Sequence, residues 1–136
     1  MAMKRNNGQM KRWLLDLCFT LLAVIAPIQT VLTTVIALVL ADFVTGVWAA
    51  IKEKQPITSA AMRRTVSKLV IYNIAVISGF LLEKYLLADA LPFAKLIAGT
   101  IGVVEMKSLI ENTKRITGLD IFKEVLSKLG SSNQHK

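Results

Sequence analysis

The sequence predicts an all-α polytopic membrane protein, with about four transmembrane helices in two hairpins and a short C-terminal amphipathic helix. Three observations lead there. The chain of 136 residues is 54% apolar, above the ~45–50% usual for soluble domains. Its 17 basic and 9 acidic residues, a formal charge of +8, are clustered rather than spread. The clusters fall in the first twelve residues, in 52–68 and after 105, between apolar runs of membrane-spanning length. A nucleic-acid-binding protein would spread that charge over one face. Cys18 is the only cysteine and His135 the only histidine. The single cysteine excludes an internal disulfide and a cysteine metal cluster, and the placement of the lone histidine in a polar tail argues against a histidine-based triad. No phosphate loop or nucleophile constellation is visible, so the chain reads as non-enzymatic and without a cofactor.

The elements follow in order. Residues 1–12 form a basic, cytoplasmic N-terminus. Residues 13–110 form the transmembrane domain, with spans at about 13–26, 28–51, 66–87 and 91–110. Residues 111–136 form a cytoplasmic amphipathic helix and polar tail. The first span is short for the ~20 residues a crossing needs, and the fourth is the least apolar. The run from Leu14 to Ile51 would measure ~57 Å as one helix, too long for one crossing. Pro27 disrupts a helix interior, so a tight hairpin is expected over Pro27-Ile28-Gln29-Thr30. A cleaved signal peptide over residues 4–26 is the competing reading of the start. It would leave nothing downstream resembling a secreted domain.

Loop charge sets the orientation. The N-terminus carries Lys4, Arg5, Lys11 and Arg12. The loop after the second span carries Lys52, Lys54, Arg63, Arg64 and Lys68 against Glu53. The hairpin at Pro27 is uncharged, and the 83–95 loop balances Glu83 and Asp89 with Lys84 and Lys95. The region from Glu105 is again basic. This alternation predicts four spans with both termini in the cytoplasm.

Asp42 is the one ionisable group between Ile28 and Ile51. A carboxylate at bilayer depth costs roughly 2.5–3.5 kcal/mol on insertion scales. Pairing, protonation or a wet cavity must offset that. Thr30, Thr34, Ala37, Ala41, Asp42, Thr45 and Ala49 recur at steps of three and four, giving one helical stripe opposite Val35, Val39, Phe43 and Val47. The stripe reads either as the lining of a polar path or as close packing through small residues. Threonines bonded to their own carbonyls favour packing; Asp42 favours the path. In the fourth span Ala94, Ala98, Gly102, Glu105 and Ser108 share a face. Glu105 is expected either to act there or to snorkel to the interface. In the third, Lys68, Tyr72, Ala75 and Gly79 line up, with Lys68 read as an interfacial anchor. Asp16 is expected to pair with Arg12 one turn earlier. Trp13, Trp48 and Tyr85 suit aromatic belts. Beyond Gly118, Leu119, Phe122, Val125, Leu126 and Leu129 share the apolar face of a surface helix.

Two blocks then resemble a known family. Ala41-Asp42-Phe43-Val44-Thr45-Gly46, with Ala49-Ala50-Ile51-Lys52 and Lys54, is similar to the Asp-x-x-Thr-Gly signature of the toxin-secretion and phage-lysis holins. The basic loop that follows in that family is filled here by Thr58-Ser59, Arg63-Arg64 and Lys68. The second block is Glu105, Ser108-Leu109-Ile110-Glu111-Asn112 and Ile116-Thr117-Gly118 before the final helix. The chain departs from the family at Arg63-Arg64, where Arg-Gly is frequent, and at Val104-Glu105, where Asn-Glu is frequent. The resemblance covers about residues 35–129. It implies a small phage protein that homo-oligomerises in the host inner membrane and opens lesions through which a muralytic enzyme, the endolysin, or a toxin passes. It marks Asp42, Thr45, Gly46, Ser59, Arg63, Lys68, Ser108, Glu111 and Asn112 as motif residues. Small and polar residues suited to helix contact or a pore face are Asp42, Thr45, Gly46, Ala49, Ala98, Gly102 and Glu105. Two other functions suit the same sequence: a small ion- or proton-coupled transporter or channel using Asp42 or Glu105, and a membrane anchor for a partner protein. Initiation at Met10 would remove Lys4 and Arg5; Met3 and Met10 as ordinary residues is the simpler expectation.

Overall fold

Helix propensity and apolar runs produce four α-helices and no strand among the described residues. The computed structural model describes residues 7–120, 123, 124 and 127. The first basic residues, most of the expected C-terminal helix and the polar tail lie outside them. Helix α1 runs Asn7–Ile25, α2 Gln29–Lys52, α3 Ser59–Tyr85 and α4 Phe93–Thr117, with a 3-10 turn Ala26–Ile28 between α1 and α2.

Helices α2, α3 and α4 pack pairwise into a three-helix bundle, with α4 against both partners. Its core is Ile28, Val35, Val76, Phe80, Ala94 and Ile101. Two stretches are long and apolar enough to cross a membrane, Gly8–Lys52 and Ser59–Tyr85. Helix α4 does not reach that hydropathy. Two of its polar residues, Glu105 and Asn112, are buried against α2 and α3, while Lys95, Thr100, Lys107, Glu111 and Lys114 are exposed.

The hairpin expected at Pro27 is not formed. Ile25 (φ −86°, ψ −19°) and Gln29 (φ −51°, ψ −44°) are both right-handed helical, and no residue between them has a positive φ. A single 3-10 turn accommodates the missing Pro27 N–H without reversing the chain. Residues 8–23 of α1 are exposed along their whole length; only Val24 and Ile25 touch the core cluster. Thus the two-hairpin arrangement holds for α3 and α4 but not for α1 and α2.

The remaining ends have local causes. Thr58 caps α3 by accepting the Ala61 N–H. Gly118, at φ +76°, ends α4 in the left-handed conformation that glycine adopts without strain. Glu83 of α3 accepts the Ala94 N–H at 3.1 Å, supplying α4 with a cap from another helix. Both helices outrun their apolar segments: α3 begins seven residues before Val66 and α4 continues seven past Ile110. The polar residues there are adequate helix formers, so hydropathy marks a span and not a helix.

Candidate functional site

The inward face of α2 is set by buried Val35, Val39 and Ala49, with Asp42 half-buried among them and Ile28 buried just ahead of the helix. Asp42 therefore points into the bundle beside the valines. The stripe expected opposite those valines is split. Thr30, Thr34 and Ala37 are exposed, and Thr33 and Thr34 donate to Gln29 and Thr30 carbonyls of their own helix at 2.8 Å. Their hydroxyls are spent locally. Seven residues at mixed steps of three and four spread over more than a third of a helix circumference, so one stripe covered two faces.

From α3, Lys68 reaches between the other helices. Its Nζ lies 3.0 Å from Asp42 Oδ2 and 3.1 Å from the Glu105 carboxylate. The Tyr72 hydroxyl, one turn along, donates to Glu105 Oε1 at 3.1 Å. Glu105 is fully buried. It does not snorkel, and Lys68 is not an interfacial anchor: each finds an opposite charge closer than the interface. That outcome follows from the penalty on an unpaired charge at low dielectric.

From α4, Asn112 completes the Asp42 environment. Its Nδ2 donates to Asp42 Oδ1 at 3.0 Å and approaches the Asp42 carbonyl and Thr45 Oγ1 at 3.3 Å. Thr45 itself donates to the Ala41 carbonyl at 2.8 Å. Gly46 borders this contact: a Cβ there would stand 3.4 Å from Asn112 Nδ2, an ordinary contact distance. Ala49, fully buried, continues the close approach. Further out, Arg115 grips Glu53 through two nitrogens, at 2.6 and 3.0 Å. The Arg115 hydrogen bond holds the Glu53 carboxyl below its ordinary range, and Glu53 raises the guanidinium in turn. Lys52 donates to the Ile116 carbonyl. Every buried side-chain nitrogen and oxygen among the described residues has a partner.

The result is one connected chain: Tyr72, Glu105, Lys68, Asp42 and Asn112, then Arg115 and Glu53 at the helix ends. It ties α2, α3 and α4 together where the core would otherwise be apolar. A cleft of about 430 Å³ leads to it, lined by Asp42, Gly46, Arg64, Lys68, Ser108 and Asn112 among others.

The other expected residues lie apart. Ala98 packs at the core edge, and a Cβ on Gly102 would stand 3.8 Å from Leu38. Ser59 and Arg63 are exposed on the first turns of α3. Glu111 is exposed, 3.9 Å from Lys107. Asp16 and Arg12 form no ion pair among the described residues. Tyr72, Glu53 and Arg115 were not singled out as site residues. Tyr72 had a signal, its i,i+4 spacing from Lys68; the Glu53–Arg115 pair, 62 residues apart, had none.

A family model described as Bacteriophage holin family matches residues 20–131. No curated protein and no solved structure matches the chain.

Proposed function

We propose that this chain, which belongs to the bacteriophage holin family, accumulates in the inner membrane of a bacterial host, oligomerises there and permeabilises it. A lysis enzyme then reaches the cell wall. The holin family is not an enzyme family, and its membership with the apolar helices makes the chain a membrane-associated protein. The observation that carries the finer reading is the family match over both motif blocks, Asp42 to Gly46 and Ser108 to Asn112.

The geometry suggests how a harmless and an open state could share one sequence. Within one chain, Asp42, Lys68, Glu105 and Asn112 satisfy each other. A monomer so arranged shows lipid mainly apolar side chains. In an assembly the same groups can exchange partners with neighbouring copies and face water. In this reading Asp42, Thr45, Gly46, Ala49, Ala98, Gly102 and Glu105 serve the closed bundle first and the oligomer afterwards. Four spans with both termini cytoplasmic suit the loop charges. That arrangement requires the chain to bend at Ala26–Ile28, since 45 helical residues from Gly8 to Lys52 would extend ~68 Å.

The cleft reaching Asp42 favours a second reading, a small cation or proton channel. Induced expression with optical density and membrane potential followed together separates the two. Abrupt, complete loss of potential followed by lysis supports the holin. Gradual, saturable, pH-dependent ion flux without lysis would replace it with the channel.

A further inference from the structure

We propose that the cleft between the beginning of α3 and the ends of α2 and α4 holds the phosphate of an anionic phospholipid, with Arg64 as its principal cation. Three cations line this cleft, Arg64, Lys68 and Arg115. Two are committed: Lys68 to Asp42 and Glu105, Arg115 to Glu53. Arg64 has no carboxylate within ion-pair distance among the described residues. Two further lining donors, the Ser108 hydroxyl and the Gln55 amide, make no side-chain hydrogen bond among the described residues. A phosphate accepts from all three kinds of donor, and a guanidinium suits it best.

The rest of the cleft suits a lipid rather than a free ion. Phe43, Val47, Ala50 and Ile57 supply an apolar wall beside the polar mouth, along which an acyl chain can lie. The volume, about 430 Å³, is in the range of small-molecule sites. Depth agrees too. Arg64 sits one turn nearer the helix end than Lys68, ~6 Å along the axis, beside the 53–58 connection. Helix ends meet the headgroup layer whichever way the bundle is oriented. Of the lining carboxylates, Asp42 is paired with Lys68, and exposed Glu111 lies toward Lys107. The inference rests on membrane association and not on lesion formation.

Arg63 and Arg64 make the test specific, because only Arg64 lines the cleft. Full-length protein in a non-denaturing detergent is titrated with phosphatidylglycerol or phosphatidylcholine, and lipid retention is read by native mass spectrometry. Wild type should retain phosphatidylglycerol in preference. Arg64→Gln should weaken that retention about tenfold, as expected for losing a charge-assisted contact. Arg63→Gln should not, and Arg64→Lys, which keeps the charge, should recover most of it. Equal losses in the two glutamine variants, or equal retention of both lipids, would overturn the proposal. Displacement of the lipid by inorganic phosphate at millimolar concentration would also overturn it, by showing a site for the free ion. Each readout is independent of lysis, so failure here leaves the holin reading untouched.

Discussion

The Lys68 ammonium lies 3.1 Å from the carboxylate of Glu105, a side chain with no exposure to solvent. The two residues are 37 positions apart on different helices. Their contact, shared with Asp42, turns two carboxylates that would repel each other into a bridge across the bundle. Removing the lysine should therefore harm the fold more than removing either acid.

Lys68→Met leaves Glu105 buried without its counter-charge. Breaking such a pair from one side costs about 3–5 kcal/mol. The variant should accumulate poorly in the membrane and unfold earlier in detergent. Lys68→Met combined with Glu105→Gln should recover part of the loss, since coupled neighbours are not additive. Wild-type melting of the single variant would show that the bridge does not hold the bundle.

Asp42→Asn should behave differently. The amide keeps the shape but has one acceptor oxygen, so it can accept from Lys68 or from Asn112 and not from both, while Glu105 retains the lysine. The variant should accumulate normally yet delay or abolish lysis. Accumulation is read by immunoblot of membranes and timing by culture turbidity. Lysis on the wild-type schedule would remove the Asp42 charge from the mechanism.

Gly79 of α3 is buried facing α4. A Cβ there would lie 2.6 Å from Ile97 Cδ1 and 3.4 Å from the Ala94 nitrogen. The isoleucine end must shift beside the packed core, while the Ala94 backbone is at ordinary contact distance. Gly79→Ala should destabilise by about 1–3 kcal/mol, as overpacking does. Shortening the obstacle with Ile97→Val should return part of that in a thermal melt.

Acid should loosen the ends of α2 and α4 through Glu53. Its folded pKa is depressed by the hydrogen bond from Arg115, so its contribution is complete above the unfolded value of about 4.3. That contribution is lost as pH falls through the lower folded value. Wild type should melt above Glu53→Gln at neutral pH, and the gap should close in acid below the ordinary glutamate range. A gap independent of pH would exclude the ion pair as its cause.

Topology can be read by labelling single cysteines on a Cys18→Ser background. Four spans with a cytoplasmic N-terminus require outside labelling at Gln29 and Asp89. Ser59 and Gly8 should then label only after the membrane is opened. Outside labelling at Gly8 with none at Ser59 would instead mean three spans, with α1 remaining outside the membrane-crossing bundle.

The sequence by itself determined the helical class, the run lengths and the family, because these rest on local quantities: composition, periodicity and two short motifs. It also marked Asp42 as a charge that needed an answer. It did not determine the answer. That Lys68, Tyr72 and Asn112 supply it depends on how α2, α3 and α4 rotate against one another, and hydropathy carries little information about rotation. Lys68 reads as an interfacial anchor, and Glu105 as either a site residue or a snorkelling charge, for that reason; only their mutual distance makes burial favourable. The turn at Pro27 shows the same division. Proline fixes a local interruption, but whether the chain reverses there depends on what α1 has to pack against. In the tertiary structure the buried face of α2 packs on α3 and α4, and among the described residues α1 meets the core only through Val24 and Ile25.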